Sequence, residues 1–362
     1  MVSRAARLLA LIVTLTPSIA PAQGTAPAAS STGVVILRGR VMESEPPVPV
    51  SRARVTVTSN GTSDPVFADE EGRFEVRVPE SGAYTVAVVK AGFVPSVLER
   101  PAERRAQPIE VGLMRGAVVT GRVMDSTGRP VVNIPVRARR IDGPAAERTR
   151  ERWAETNDLG EYRIWNLEPG RYAIVTNGSP GNPGHLPSTA EPSQNVQARI
   201  RSAATPDDPT SNAVVVQARA GVENDVTLAY RTQAAIMPDA EIGGAVTGIV
   251  VDEWGDPAGG LDVRLWQVRV EDGQRSLQPF GEPRGTDDGG RFRLFHVPAG
   301  TYVVVLTDES WRTDGTSSSG WLPVYYPGRT SRTEALPLLV GPGDEIAGID
   351  LVFRWTRGSR VF

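Results

Sequence analysis

Two histidines, His185 and His296, are the only imidazoles in a chain of 362 residues that contains no cysteine. They stand 111 residues apart and neither has a Glu or His at helical ligand spacing, so a zinc site would need carboxylates from elsewhere. His296 lies six residues past Gly290, where two parallel stretches of the sequence place Val78 and Asn166, which marks a strand-end position. The string Gly315-Thr316-Ser317-Ser318-Ser319-Gly320 lacks the spacing of a nucleophile elbow, and no phosphate-binding glycine loop occurs. No catalytic residue, no metal and no cofactor is therefore expected. Asp69-Glu70-Glu71 and Asp287-Asp288 offer hard oxygens, but calcium needs six or more ligands, and Asp at such places also shapes turns. The residues best suited to binding are Trp311, Trp321, Tyr325 and Tyr326, whose rings can stack on sugar faces if exposed. Their alternative use is to plug the open end of a sandwich or pack on a neighbour.

These residues are positioned by a threefold repeat. Leu37-Arg38-Gly39-Arg40-Val41, Val119-Thr120-Gly121-Arg122-Val123 and Val246-Thr247-Gly248-Ile249-Val250 open the copies, each followed by a polar turn with proline. Gly72 and Tyr84, Gly160 and Tyr172, and Gly290 and Tyr302 are each 12 residues apart, whereas the stretch between the first and second glycines varies in length. Constant spacing predicts a rigid hairpin and variable spacing predicts loops. Alternation in Phe74, Val76 and Val78, in Tyr162 and Ile164, and in Phe292 and Leu294 indicates strands with one buried face. With 37 Gly, 30 Pro and no long helical pattern, the expectation is all-β: about seven short strands per copy in a small antiparallel sandwich.

The T-G-x-V opening, the G-x-P turn, the T-D-x-x-G-x-[FY] hairpin and the P-x-G-x-Y strand resemble the carboxypeptidase regulatory-like domain. That resemblance implies three tandem transthyretin/prealbumin-like β-sandwich domains, non-catalytic companions found in bacterial surface and periplasmic proteins. The first copy departs from the pattern in its opening strand and in Pro79-Glu80-Ser81-Gly82.

The chain begins with Arg4 and Arg7, an apolar run from Leu8 to Leu15 and Ala20-Pro21-Ala22, which reads as a cleaved secretory signal over 1–22. A disordered spacer is expected over 23–33, then domains over 34–115, 116–232 and 244–355, with a linker at 233–243. The second copy carries insertions at 145–152, read as a helical turn, and at 177–212. No later stretch approaches eighteen apolar residues, so no transmembrane span is expected in the mature chain. Phe362 has no barrel strand before it. Intermingled charges with a net of −3 argue against nucleic acid. The sequence thus points to an exported structural or interaction protein of the cell envelope, periplasmic or on the cell surface, whose stacked sandwiches act as a spacer or adhesive rod and whose partners are other envelope proteins. The alternative is glycan binding by the third copy.

Overall fold

The computed structural model describes residues 33–354 apart from 60, 63–64, 81–82, 105–106, 145–150, 177–212, 231–242, 272 and 308–322. The expected signal over 1–22, the spacer except Gly33, the linker except Gly243, the 177–212 insertion, His185, Trp311, Trp321 and Phe362 lie outside the described residues. Glu151 and Arg152, read from the sequence as part of a helical turn, belong instead to the strand Glu151–Glu155. Among the described residues everything regular is β apart from two short 3₁₀ turns, and no helix there is long and apolar enough to cross a membrane.

Three stretches of chain share one plan. In each, an opening strand (Val34–Glu43, Ala117–Asp125 or Gly244–Asp252) is central in a small sheet. On one side it pairs antiparallel with an outgoing strand, Arg73–Pro79, Glu161–Leu167 or Arg291–Val297. On the other it pairs parallel with the closing strands, Ile109–Leu113, then Glu223–Asp225 and Leu228–Tyr230, then Glu345–Ile346 and Leu351–Phe353. The return strand, Tyr84–Val89, Gly170–Thr176 or Gly300–Thr307, lies in a second, antiparallel sheet. The topology corrects two expectations. The sandwiches are not wholly antiparallel, because first and last strands run together. Nor is the fixed 12-residue segment a hairpin, since its two strands pair with different partners and the chain arches from one sheet to the other.

The arch explains the constant spacing. Asp69, Asn157 and Asp287 each use Oδ1 to accept two backbone N–H bonds, from the residues two and four further on, at 2.7–3.0 Å. The glycine three residues further on, Gly72, Gly160 or Gly290, has φ of 75°, 71° and 71°, and its carbonyl accepts a bond from Val41, Val123 or Val250 of the opening strand. A Cβ there would overlap that strand's backbone, so glycine is required for space as well as for φ. The opening-strand glycine is needed for proximity too: at Gly248 a Cβ would meet the Ile349 carbonyl and the Phe292 ring. At the far end Tyr84, Tyr172 and Tyr302 are buried, and the last two donate their hydroxyls to Glu168 and Pro298 carbonyls four residues upstream, at 3.0 and 3.1 Å. This resembles the tyrosine corner of other sandwiches.

Each stretch buries its own apolar cluster, centred on Leu37, Val55 and Tyr84, on Val119, Ile164 and Tyr172, and on Val246, Leu294 and Tyr302. Thr156 and Thr286 are buried polar exceptions with one purpose. Each hydroxyl accepts from the Ile134 or Leu261 amide and donates to the Val131 or Ala258 carbonyl, joining the second strand's start to the turn before it. The first unit has Ala68 at that place.

Thr286→Val keeps the shape and removes both bonds, leaving a buried amide and carbonyl unpaired. It is expected to lower stability by about 2 kcal/mol in urea unfolding, against a negligible change for Thr127→Val on the surface.

Candidate functional site

Charged groups that the shared fold leaves outward converge where the second and third units meet. Arg163 and Arg293 sit three residues beyond Gly160 and Gly290, on outgoing strands whose even positions point inward, so both guanidiniums face out. Arg163 donates through Nε and Nη2 to the Asp288 carboxylate of the third unit at 2.6 and 3.0 Å. Arg293 donates through the same two nitrogens to Asp158 of the second unit at 2.6 and 2.7 Å. Each is also held by its own unit's closing strand, Arg163 by Glu223 at 2.8 Å and Arg293 by Glu345. The arrangement is a reciprocal clamp with local two-fold character, each arch giving one arginine and receiving one.

The clamp is largely dry, its four side chains being 13–21% exposed. Burial opposes the charge on Arg163, but Asp288 and Glu223 outweigh it and raise its pKa above the ordinary value. For Arg293 the Asp158 hydrogen bond leads the same upward shift. Burial pushes the Asp287 carboxyl up as well, against the pull of the Arg291 amide. Beside the clamp Arg284 bonds Glu155 at 2.9 Å and Asn133 at 3.0 Å, with its guanidinium 4.7 Å above the Phe295 ring.

The first unit joins by other means. Lys90, the only lysine in the chain, donates to Asp256 of the third unit at 2.7 Å, and Arg52 lies 3.9 Å from the same carboxylate. The Phe67 and Trp254 rings meet edge to face at 4.6 Å. Arg115, the last residue of the first unit, forks onto Glu43 and covers Phe93, and beside it the Gly116 amide of the second unit donates to the Gly92 carbonyl of the first at 2.9 Å. Every unit therefore touches both others, which corrects the expectation of a linear rod: a rod would hold the first and third apart.

The binding residues expected from the sequence fare unevenly. Tyr325 is 2% exposed, packed with Trp266, Val303, Val305 and Ala335 on the outer side of the third unit's larger sheet. Its hydroxyl accepts from Arg332 at 3.0 Å, so no sugar can stack on this ring. Tyr326 is half-buried against the third unit's core. His296 has φ of 56°, as Asn166 has 57°, and both sit where the outgoing strand bulges against the opening strand. That is a structural position, and the His296 ring meets Phe295 edge to face at 5.1 Å. The acidic turns spend their carboxylates on cations: Asp69 and Glu71 on Arg73, Asp287 and Asp288 on Arg163. Among the described residues no cluster of three or more His, Asp or Glu could hold a metal. Sequence reasoning missed the clamp, although Asp158 and Asp288, and Arg163 and Arg293, occupy matched repeat positions.

Known proteins resemble this chain only distantly. No curated protein matches it in sequence. Among solved structures, a streptococcal ancillary pilin is 13% identical, with 86% of this chain and 99% of that one covered, at a TM-score of 0.23. The Bacillus anthracis TIE protein is 14% identical over 89% of this chain at a TM-score of 0.20, and the chain spans 50% of that protein's length. BcpA, the major pilin subunit of Bacillus cereus, is 11% identical, with 89% and 99% covered, at a TM-score of 0.20.

Two outcomes test the site. Because the pKa of Asp287 is raised above 3.8, its contribution to stability is full below pH 3.8 and is lost as pH rises through the folded value. Asp287→Asn, which copies Asn157 and keeps the Oδ1 acceptor, is expected to raise the melting temperature at pH 7 and to lose that advantage near pH 3. Tyr325→Ala is expected to cost about 3 kcal/mol in denaturant unfolding, the value for a buried ring and not for a surface one.

The family model of the carboxypeptidase regulatory-like domain matches residues 36–111, and the two stretches after it repeat the strand plan of that part.

Proposed function

We propose that this protein is a non-catalytic, exported structural or interaction protein of the bacterial cell envelope, made of three regulatory-like sandwiches over 34–115, 116–232 and 244–355. The observation that carries the reading is the reciprocal arginine clamp. Outward charges that an enzyme would aim at a substrate are here turned on the neighbouring unit, in matched pairs, and fix the units relative to one another. Export rests on the basic, apolar and small-residue order of residues 1–22. Periplasmic and cell-surface placement both suit a protein without cysteine. The partner on this reading is another envelope protein. Glycan binding through Trp311, Trp321, Tyr325 and Tyr326 is the weaker reading, because Tyr325 is buried beneath its neighbours on the sheet's outer face.

The test is Arg163→Asp together with Arg293→Asp. Each change leaves an uncompensated carboxylate pair in a largely dry contact, worth about 3 kcal/mol apiece. Small-angle scattering is expected to show a larger radius of gyration with an unchanged circular dichroism spectrum. Adding Asp288→Arg and Asp158→Arg is expected to restore the compact form. An unchanged radius in the double variant would mean that the units are not held by the clamp, and the structural reading would lose its support.

A further inference from the structure

The outer face of the second unit's larger sheet carries an aromatic ring that nothing described covers. The strands run in the order Glu151–Glu155, Pro135–Arg140, Gly170–Thr176, Val214–Ala218. Val136, Ala138, Tyr172 and Ile174 fill the core, so Arg137, Arg171, Ala173 and Val175 lie on the opposite face. The register sets Trp153 directly across from Arg137, Arg137 beside Val175, and Ala173 beside Val215. Directly opposed residues share a face. Trp153 is 43% exposed and Val215 54%.

Rings on the corresponding sheets of the other two units are already occupied. Phe67 of the first unit meets Trp254 at 4.6 Å. Trp266 of the third is packed with Tyr325 and has the Arg332 guanidinium 4.9 Å above it. Trp153 has neither a ring partner nor a cation above it among the described residues.

The charge on this face has one sign to spare. Glu155 is taken by Arg284, and Glu151 stands across from Arg139. The guanidiniums of Arg137 and Arg171 have no hydrogen-bond or ion-pair partner among the described residues. Strand spacing and rise put Trp153 and Arg171 about 16 Å apart, too far for one sugar and right for a short run of them. The small side chain of Ala173 keeps the ground between them flat.

We propose that this face binds an anionic polysaccharide, with Trp153 stacking on a sugar ring and Arg137 and Arg171 pairing with carboxylates along the chain. Stacking gives affinity without a pocket, and the two cations give selectivity for acidic over neutral chains.

Affinity electrophoresis of the full chain in gels containing polygalacturonate, with dextran as the neutral control, tests this. Polygalacturonate is expected to retard the protein and dextran to leave it unchanged. Trp153→Ala is expected to weaken retardation about tenfold, the equivalent of one lost stacked ring, with little change in melting temperature. Arg137→Gln with Arg171→Gln is expected to abolish it. No retardation by polygalacturonate, equal retardation by dextran, or full retardation of Trp153→Ala would each overturn the proposal. None of these results bears on the clamp, which scattering reads separately.

Discussion

The turn at Asp69, Asn157 and Asp287 sets the course of the outgoing strand in every unit. One side-chain oxygen gathers two amides, the glycine three residues further on turns left-handed, and its carbonyl locks to the opening strand. Once the first residue of the outgoing strand is fixed in this way, period-two alternation assigns the following side chains to a face as far as the bulge. The aromatic two places past the glycine goes in and fills the core; the residue three places past goes out. The arginine clamp is therefore a consequence of turn geometry, since both arginines are aimed by the same three hydrogen bonds.

The units differ in the chemistry placed on those outward positions, and this decides who binds whom. In the first unit the place of Arg163 and Arg293 is held by Glu75, which pairs with Arg38 of its own opening strand. A glutamate there cannot enter an acid–arginine clamp, so the first unit is excluded from it by like charge. It docks instead on the proline turn of the third unit, where Trp254 and Asp256 stand in the places of Thr127 and Arg129. In the second unit Arg129 folds back on Asp125, so that the equivalent turn serves itself.

Much of this was legible in the sequence for local reasons. Strand alternation, turn glycines and the interval of 12 all depend on residues near one another in the chain, and each reads directly as backbone geometry. The pairing of the arch strands was not legible, because a constant interval is equally natural for a hairpin and for a crossing between sheets, and only long-range partners tell them apart. Tyr325 misled for a related reason. A ring in a proline- and glycine-rich loop reads as exposed, but Val303 and Val305 make the sheet's outer face apolar and draw it in. The clamp needed the repeats to be compared with each other as well as aligned, since its signal is complementary charge at matched positions about 130 residues apart.

Folding and arrangement are held by different forces in this molecule. Each apolar cluster is confined to one unit, so burial makes three independently cohesive sandwiches and contributes little across their borders. The borders are held by desolvated, forked ion pairs and by single ring contacts, which are directional. Directional bonds fix orientation at modest net energy, because desolvation offsets much of the Coulombic gain. A hydrophobic border of the same size would bind more strongly but tolerate sliding. The charged border keeps the relative pose of the units defined while leaving each fold intact if the border opens.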